Sequence, residues 1–287
     1  MSGKDLKWTL ITGSTGSIGR EIVKILASHG DALILLNRSE TRAHAQRSEL
    51  LKSYPNLDIH LITADLMDIE QIKDATQQIN ALPGRVDVLY NNSGVLTSEK
   101  LLSPQGFESQ FAVNTIAPYL LVRNLTKKMA RPNNAPPAMV VNFSSSAINS
   151  TRKLELNELA NPQQVGGLLS TYAQTKLAVT VLAPALRNAL KSKNILIRAI
   201  DPGATKSPMT MGRNSGMPKV LAWLAPILFS SADRQAAKIV VSANPLSHDG
   251  RTGIYVANRK EKKIPEHAAD PKIQADLISL LDQLIDA

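Results

Sequence analysis

The chain has 287 residues, 43% of them hydrophobic, which is enough to bury the core of one large α/β domain. It contains no cysteine, which excludes a disulfide framework and a thiolate metal site. Its five histidines show no paired ligand spacing, so no metal is expected either.

The net charge is +9, but lysine and arginine are spread along the chain and only 4% of residues are aromatic. This pattern favours a solvated basic surface over a nucleic-acid interface. The N-terminal sequence lacks the apolar core of a signal peptide, and no run of 18 apolar residues occurs. We therefore expect a cytoplasmic protein without a nucleic-acid partner.

A buried strand is predicted at residues 8–12, followed by a glycine-rich turn and a helix to about His29. Glycines let the backbone turn sharply and approach a pyrophosphate, whose charge is stabilised by the free N–H groups at the start of the helix. The turn alone is weak evidence for a nucleotide, but strand, turn and helix in this order strengthen it. The residues predicted to contact the cofactor here are Gly13, Ser14, Thr15, Gly16, Ser17, Ile18 and Gly19.

The second predicted strand, residues 32–36, ends at Asn37 and Arg38. A dinucleotide fold that selects NAD normally has Asp or Glu here for the ribose 2′-hydroxyl, whereas one that selects NADP has an arginine nearby. The sequence therefore predicts NADP(H) as the cofactor, with Arg38 on the 2′-phosphate. The candidate neighbours of that phosphate are Asn37, Ser39 and Arg42. The alternative is a surface arginine at a strand end.

Two further strands are predicted at residues 56–63 and 86–90, and each ends in small or acidic polar residues. Open α/β sheets bind ligands at this carboxyl edge, where Asp65 would lie over the adenine. Asp65 could equally cap the following helix, and the residues after the second strand could form a plain turn. The candidate cofactor contacts from these segments are Asp65, Leu66, Asn92, Ser93 and Gly94.

A long helix is predicted at residues 104–130, with Asn114 among its apolar residues. A buried amide is costly unless it is hydrogen-bonded, so Asn114 is either a structural core residue or a functional one. The fifth predicted strand, residues 139–143, ends in three serines. Such a run usually forms a turn, but beside a proton donor one hydroxyl could stabilise charge on a carbonyl oxygen.

Tyr172 and Lys176 are four residues apart at the start of a predicted helix that runs to about Lys193. Residues at this spacing share one helix face, so the hydroxyl and the ammonium can point into one pocket. A free phenol has a pKa of about 10, and a nearby cation is expected to lower the pKa of Tyr172 toward the range useful for acid-base chemistry. The alternative is an exposed Tyr/Lys pair without a function.

The rest of the chain predicts a strand at residues 195–200, a last strand at 253–257 and a closing helix at 271–285. Residues 207–231 combine adaptable apolar side chains with Gly and Pro, as expected of a lid over a hydrophobic substrate. The alternatives are a packed surface helix and an interfacial membrane contact. The apolar run at 220–229 is too short to span a bilayer.

Six motifs in this order resemble those of the short-chain dehydrogenase/reductase family along nearly the whole chain. The segment at residues 12–19 is similar to the family's cofactor loop, and residues 91–94 are similar to its Asn-Asn-Ala-Gly segment. The residues that match the family's catalytic positions are Asn114, Ser145, Tyr172 and Lys176. The match to its Pro-Gly turn beside the nicotinamide includes Pro202, Gly203, Thr205 and Ser207.

Two features depart from the common family pattern. Ser17 takes the place of a glycine of the shorter members, while Gly16 supplies a glycine one position earlier, and a serine is also a good helix cap. Ser145 and Tyr172 are 27 positions apart (172 − 145), a longer gap than in many members. This insertion, together with Arg38, resembles the retinol dehydrogenase-like branch, whose members act on apolar aldehydes, ketones and alcohols.

These features together predict one doubly wound α/β domain over residues 1–287, with about seven parallel strands and helices on both faces. The resemblance implies reduction of an apolar carbonyl by NADPH, or the reverse, with Tyr172 as proton donor or acceptor. It also implies that Lys176 lowers the pKa of Tyr172 and binds the nicotinamide ribose. Ser145 would orient the carbonyl, and Asn114 would hold a water. An NADP(H)-sensing regulator without turnover is the alternative, and a homodimer or higher oligomer is left open.

Overall fold

The computed structural model describes residues 6–97, 99, 101–160, 168–205 and 230–286. In this part of the chain eight strands form one sheet in the order β3-β2-β1-β4-β5-β6-β7-β8. The strands are β1 (Lys7–Thr12), β2 (Ala32–Asn37), β3 (Ile59–Thr63), β4 (Arg85–Asn91), β5 (Ala138–Phe143), β6 (Ile195–Asp201), β7 (Ile254–Ala257) and β8 (Lys260–Lys262). The first seven pair in parallel, and β8 runs antiparallel to β7.

Helices cover both faces of this sheet. They are α1 (Ser17–Ser28), α2 (Glu40–Ser53), α3 (Ile69–Ala81), α4 (Ser109–Phe111), α5 (Ala117–Met129), α6 (Leu156–Ala160), α7 (Leu168–Lys191), α8 (Ala232–Ala243) and α9 (Pro271–Asp286). A single π-helical turn, Ala112–Ile116, joins α4 to α5.

Helices pack on both faces because successive side chains of a strand point to opposite faces, and the central strands are apolar at successive positions. In β2, Leu33 packs in the core under α1, α2 and α8, whereas Ile34 packs in the core under α3, α5, α7 and α9. Strand order reverses between β1 and β4, which creates the crevice where open α/β sheets bind ligands. The predicted doubly wound fold is confirmed.

Two boundaries differ from the sequence prediction. The helix predicted from residue 104 begins at Ser109, because residues 102–108 form a turn that is closed by a bridge between Leu102 and Glu108. The Glu108 carboxylate caps this helix by accepting the N–H of Phe111 at 2.9 Å. Strand β3 begins at Ile59 rather than at residue 56.

The eighth strand was not predicted, because it consists only of exposed charged residues and carries no apolar signal. A two-residue turn joins it to β7, and both Asn258 (φ 53°) and Arg259 (φ 63°) have positive φ angles. Such angles at both central residues match the hairpin turn that fits the natural twist of strands. The sheet therefore has an antiparallel edge beside its seven parallel strands.

The C-terminal helix α9 lies against α7, and two of its carboxylates bind side chains of α5. The Tyr119 hydroxyl of α5 donates to Asp282 at 2.7 Å, and Arg123 binds the carboxylate of Asp286 at 2.8 Å. The chain's own helix thus occupies part of the surface of α5. The oligomeric state stays a prediction.

Arg198 of β6 is fully buried and binds the loop that follows α8. Its guanidinium donates to the carbonyl oxygens of Ser242 (2.8 Å), Asn244 (2.9 Å) and Ser247 (2.8 Å). Burial lowers the pKa of Arg198 to about 10. One guanidinium therefore satisfies several backbone carbonyl groups of this loop and fixes the loop to the sheet.

We predict that Arg198→Met lowers the free energy of unfolding by about 2–4 kcal/mol, because several buried carbonyl groups lose their donor at once. Urea denaturation monitored by circular dichroism measures the change. Arg47→Met, at an exposed position of α2, is the matched control and is expected to shift stability by less than about 0.5 kcal/mol. Equal stability of the two variants would contradict the role given to Arg198.

Candidate active site

The glycine turn after β1 is held against the segment that follows β4. The Asn92 side-chain amide donates to the carbonyl oxygens of Thr12 (2.8 Å) and Gly13 (3.1 Å). Gly13 has a positive φ of 65°, and a Cβ there would lie 2.7 Å from the Ser93 hydroxyl oxygen. A Cβ on Gly19 would lie 2.5 Å from the Gly13 carbonyl oxygen. No side chain other than hydrogen fits at either glycine.

The start of α1 differs from the sequence prediction at one residue. Gly16, with a φ of −75°, is the N-cap of the helix, and Ser17 is its first residue. Ser17 is therefore not the cap that its residue type suggested. Ile18 packs, partly buried, against the core on this face of the sheet.

Ser14 and Asn37 were predicted to contact the cofactor, but their side chains are hydrogen-bonded to other residues of the protein. The Ser14 hydroxyl donates to Gln46 at 2.7 Å and accepts from the Asn37 amide at 2.8 Å, and all three residues are buried. Asn37 also accepts the backbone N–H of Thr15 at 3.3 Å. Sequence reasoning missed Gln46, because the only signal is a polar residue on the inner face of α2.

Two arginines lie near the carboxyl end of β2. The side chain of Arg38 is 75% exposed and lies 3.9 Å from the carboxylate of Asp65. Arg42 donates to the carbonyl oxygen of Thr15 at 3.0 Å, and Ser39 caps α2 by accepting the N–H of Arg42 at 3.4 Å. The predicted 2′-phosphate residues are therefore brought together beside the glycine turn.

Asp65 does not cap the helix that follows it. Its carboxylate accepts the N–H of Met67 at 3.0 Å, whereas Asp68 caps α3 by accepting the N–H of Glu70 at 3.0 Å. The capping alternative for Asp65 is therefore wrong, and its carboxylate faces Arg38. Leu66 is a buried core residue.

Asn114 lies in the π-helical turn and ties the segment after β4 to α7. Its side-chain oxygen accepts the N–H of Val95 at 2.8 Å, and its amide donates to the Val95 carbonyl (3.0 Å) and the Thr175 hydroxyl (3.1 Å). A Cβ on Gly94 would lie 3.2 Å from the Asn114 oxygen and 3.3 Å from Nζ of Lys176. The segment after β4, the π-helical turn and α7 therefore meet at Gly94.

Lys176 is buried and donates from Nζ to the carbonyl oxygen of Phe143 at 2.8 Å. The ammonium lies 5.8 Å from the centre of the Tyr172 ring. Burial disfavours the charged form and lowers the pKa of Lys176 to about 8, while the negative charge of Asp201 acts to raise it. The buried ammonium is therefore easier to deprotonate than that of an exposed lysine.

Tyr172 and Ser145 lie together, as predicted. Burial raises the pKa of the Tyr172 phenol, a hydrogen bond with Ser145 lowers it, and the charge of Asp201 raises it. The Ser145 hydroxyl also accepts the N–H of Ala147 at 3.2 Å. The expectation that Lys176 lowers the pKa of Tyr172 is wrong for this structure, because the net shift is upward and burial is its largest cause. The phenol is therefore held in its neutral form.

The Pro202–Gly203 turn closes the site on the side of β6. Gly203 has a φ of 78° and donates its N–H to the carboxylate of Asp201 at 2.8 Å. Thr205 donates to the Gly203 carbonyl at 2.9 Å and pairs with Ser230 in a short parallel bridge. Ser207 and most of the predicted lid, residues 207–229, lie outside the described residues. The lid stays a prediction, as does its membrane alternative.

Asp201 is the second residue that sequence reasoning missed. The sequence match covered it only as part of the Pro-Gly segment, and nothing in its spacing indicates that its charge acts on Tyr172 and Lys176. That relation depends on β5 and β6 being neighbours in the sheet.

A family model described as short chain dehydrogenase matches residues 7–157. The chain belongs to the short-chain dehydrogenase family. It is 28% identical over 284 residues to short-chain dehydrogenase TIC 32 B, chloroplastic, of Brassica napus, which covers 97% of this chain and 88% of that protein. It is 24% identical over 273 residues to retinol dehydrogenase 13 of Mus musculus, covering 93% of this chain and 80% of that protein. The predicted likeness to the retinol dehydrogenase-like branch is confirmed.

The fold of this short-chain dehydrogenase is shared with a solved blue fluorescent protein from a metagenomic library in complex with NADPH. The TM-score is 0.68 and the identity 24%, over 88% of this chain and 96% of that chain. Among the helices that the structure describes, none is both long and apolar enough to cross a membrane. Cytoplasmic localisation stays a prediction.

The buried ammonium of this short-chain dehydrogenase gives a pH-dependent stability. The folded pKa of Lys176 is about 8 and the ordinary value is 10.5, so between these pH values the unfolded chain binds a proton that the folded chain does not. Stability from this group therefore rises with pH across that window, by up to about 3 kcal/mol, and is lowest below pH 8. We predict that Lys176→Met removes this rise.

Urea denaturation of both proteins between pH 7 and 10.5 measures the difference. The wild type is expected to gain stability relative to Lys176→Met as the pH rises. Parallel curves for the two proteins over the whole window would contradict a buried ammonium.

Proposed function

We propose that this short-chain dehydrogenase is an NADP(H)-dependent oxidoreductase that interconverts an apolar aldehyde or ketone and its alcohol. The observation that carries the proposal is the meeting of Ser145, Tyr172 and Lys176 at the carboxyl edge of the sheet, next to Gly94. These three side chains bring a proton donor, a second hydroxyl and a cation together in one site. A protein that only senses a nucleotide has no need of that set.

The residues present fit a dinucleotide. Without side chains at Gly13 and Gly19 the turn packs tightly against Asn92 and Ser93 at the start of α1, where free N–H groups would favour a pyrophosphate. Arg38 and Arg42 would bind the 2′-phosphate that distinguishes NADP from NAD. Asp65 partly offsets the charge of Arg38. The preference for NADP over NAD would therefore come from Arg38 and Arg42 together.

The bound nicotinamide would supply or accept the hydride. The chain's own residues would handle the proton and the developing charge. Tyr172 donates its proton to the substrate oxygen during reduction, and its raised pKa keeps it protonated beforehand. Ser145, which is hydrogen-bonded to Tyr172, holds that oxygen in place and stabilises its negative charge.

Lys176 and Asn114 would act at the back of the site. The Lys176 ammonium, which is placed by the Phe143 carbonyl, would bind the nicotinamide ribose. The side-chain amide of Asn114 is hydrogen-bonded to Val95 and to Thr175. These bonds hold the segment after β4 against α7. Asn114 would also hold a water molecule at the back of the site.

The substrate class rests on two features. Residues 207–231 contain three methionines and three leucines, a composition expected of a cover over an apolar substrate. The relative from Mus musculus is a retinol dehydrogenase, which by its name acts on an apolar alcohol. Both favour an apolar carbonyl or alcohol.

We predict that Tyr172→Phe lowers kcat for NADPH-dependent carbonyl reduction by at least about 100-fold, because the proton donor is lost. NADPH binding, measured by fluorescence titration, is expected to stay within about threefold of the wild type. Tyr54→Phe, at the end of α2, is the matched control and should leave kcat unchanged. Tight NADPH binding by the wild type without turnover on a panel of apolar aldehydes and ketones would contradict the proposal and favour a sensor.

We predict that Arg38→Ala raises the Kd for NADPH by about tenfold or more and leaves the Kd for NADH unchanged, because only NADPH carries the 2′-phosphate. Isothermal titration calorimetry measures both constants. Arg47→Ala, an exposed arginine farther along α2, is the control and should change neither. An equal loss of affinity for both cofactors would show that Arg38 does not read the 2′-phosphate.

A further inference from the structure

Gln46 lies on the inner face of α2 and is only 5% exposed. Its side-chain amide donates to the carbonyl oxygen of Ser14 at 2.9 Å, and its side-chain oxygen accepts the Ser14 hydroxyl at 2.7 Å. The same hydroxyl accepts the side-chain N–H of Asn37, at the end of β2, at 2.8 Å. We call Ser14, Asn37 and Gln46 the turn clamp. One buried amide of α2 thus binds both the backbone and the side chain of a residue in the glycine turn.

The turn clamp belongs to a wider set of contacts that fix the carbonyl oxygens of the glycine turn. Arg42, also of α2, donates to the carbonyl oxygen of Thr15 at 3.0 Å. The carbonyl oxygen of Gly13 accepts the N–H of Gly16 at 3.0 Å and the side-chain N–H of Asn92 at 3.1 Å. A pyrophosphate is bound by backbone N–H groups and repelled by carbonyl oxygens, so the direction of these peptide groups decides how well it binds.

Asn37 is directed at the same turn by both ends of its buried amide. The amide nitrogen donates to the Ser14 hydroxyl, and the side-chain oxygen accepts the N–H of Thr15 at 3.3 Å. A dinucleotide fold that selects NAD has a carboxylate near this position for the ribose. Here the side chain at the end of β2 is instead hydrogen-bonded to the turn that would receive the pyrophosphate.

Resting on the proposed function, we propose that Gln46 is a positioning residue for the cofactor: through Ser14 it holds the glycine turn in the conformation that binds the pyrophosphate. Gln46 does not touch the cofactor in this role. The pyrophosphate is common to NADPH and NADH, so the turn clamp raises the affinity for both by the same factor. It adds affinity without adding a preference for one of the two.

The test is Gln46→Met, which removes both hydrogen bonds to Ser14 and keeps an unbranched side chain of similar length. The Kd for NADPH and the Kd for NADH are measured by fluorescence titration, well below the melting temperature of each protein. Both constants are expected to rise by about tenfold or more and by the same factor, because buried hydrogen bonds to the turn are lost. The kcat at saturating NADPH should stay within about twofold of the wild type.

Gln110→Met is the matched control. Gln110 is also a buried glutamine, 2% exposed, but it belongs to α4, and its amide donates to the carbonyl oxygen of Thr97 at 3.5 Å. Its replacement should leave both Kd values within about twofold of the wild type. Urea denaturation of the two variants separates a loss of stability from a loss of cofactor affinity.

Gln46→Glu gives a second readout and keeps the shape of the side chain if Gln46→Met does not fold. A protonated carboxyl group can donate to the Ser14 carbonyl and accept the Ser14 hydroxyl, as the amide does, whereas a carboxylate can only accept. Burial favours the protonated form, so at pH 6 the Kd for NADH is expected within about threefold of the wild-type value at that pH. At pH 9, where the carboxyl group ionises, the ratio should reach about tenfold. Arg42, one turn earlier on α2, stays charged throughout this range.

Wild-type Kd values for both cofactors in Gln46→Met would overturn the proposal, and so would a loss of affinity for NADPH alone. A loss in Gln46→Met that Gln46→Glu does not relieve at the lower pH would show that packing rather than hydrogen bonding is responsible, and would also overturn it. A loss for both cofactors in a protein that reduces no carbonyl at all would overturn the proposed function and still support the turn clamp.

Discussion

The hydrogen bond from the buried Lys176 ammonium to the carbonyl oxygen of Phe143 is the contact on which the site depends. It joins the first turns of α7 to the end of β5 at 2.8 Å. Behind it, the Thr180 hydroxyl donates to the Lys176 carbonyl at 2.6 Å and lies 2.6 Å from the Ser144 hydroxyl. Because Tyr172 is one helical turn before Lys176, this anchor also fixes the phenol beside the serine turn.

The nucleotide half of the sheet is attached to the same place by amide side chains. Asn92 binds the glycine turn after β1 to the segment after β4, and Asn114 binds that segment to α7. Gly94 lies between the two and leaves space that a methyl group would take from Asn114 and Lys176. We propose that a dinucleotide held at one end by the glycine turn would thereby be directed toward α7.

Much of this arrangement follows from local sequence. The central strands are predictable because they are apolar on both faces, and the glycine turn and the Tyr172–Lys176 pair depend on short spacings. The charged strand β8 and the contacts of Gln46 and Asp201 were not predictable, because they depend on which elements become neighbours. The pKa of Tyr172 was predicted in the wrong direction: spacing reveals the cation, but only the folded chain shows that burial has the larger effect.

We propose above all that the hydroxyl of Tyr172 and a bound nicotinamide share one site. A crystal structure of the protein grown with NADPH tests it most directly, through the distance from the nicotinamide C4 atom to the Tyr172 oxygen. We expect a separation that one carbonyl group can bridge, on the order of 4–6 Å. A nicotinamide bound too far from that oxygen for one substrate molecule to touch both would contradict the claim.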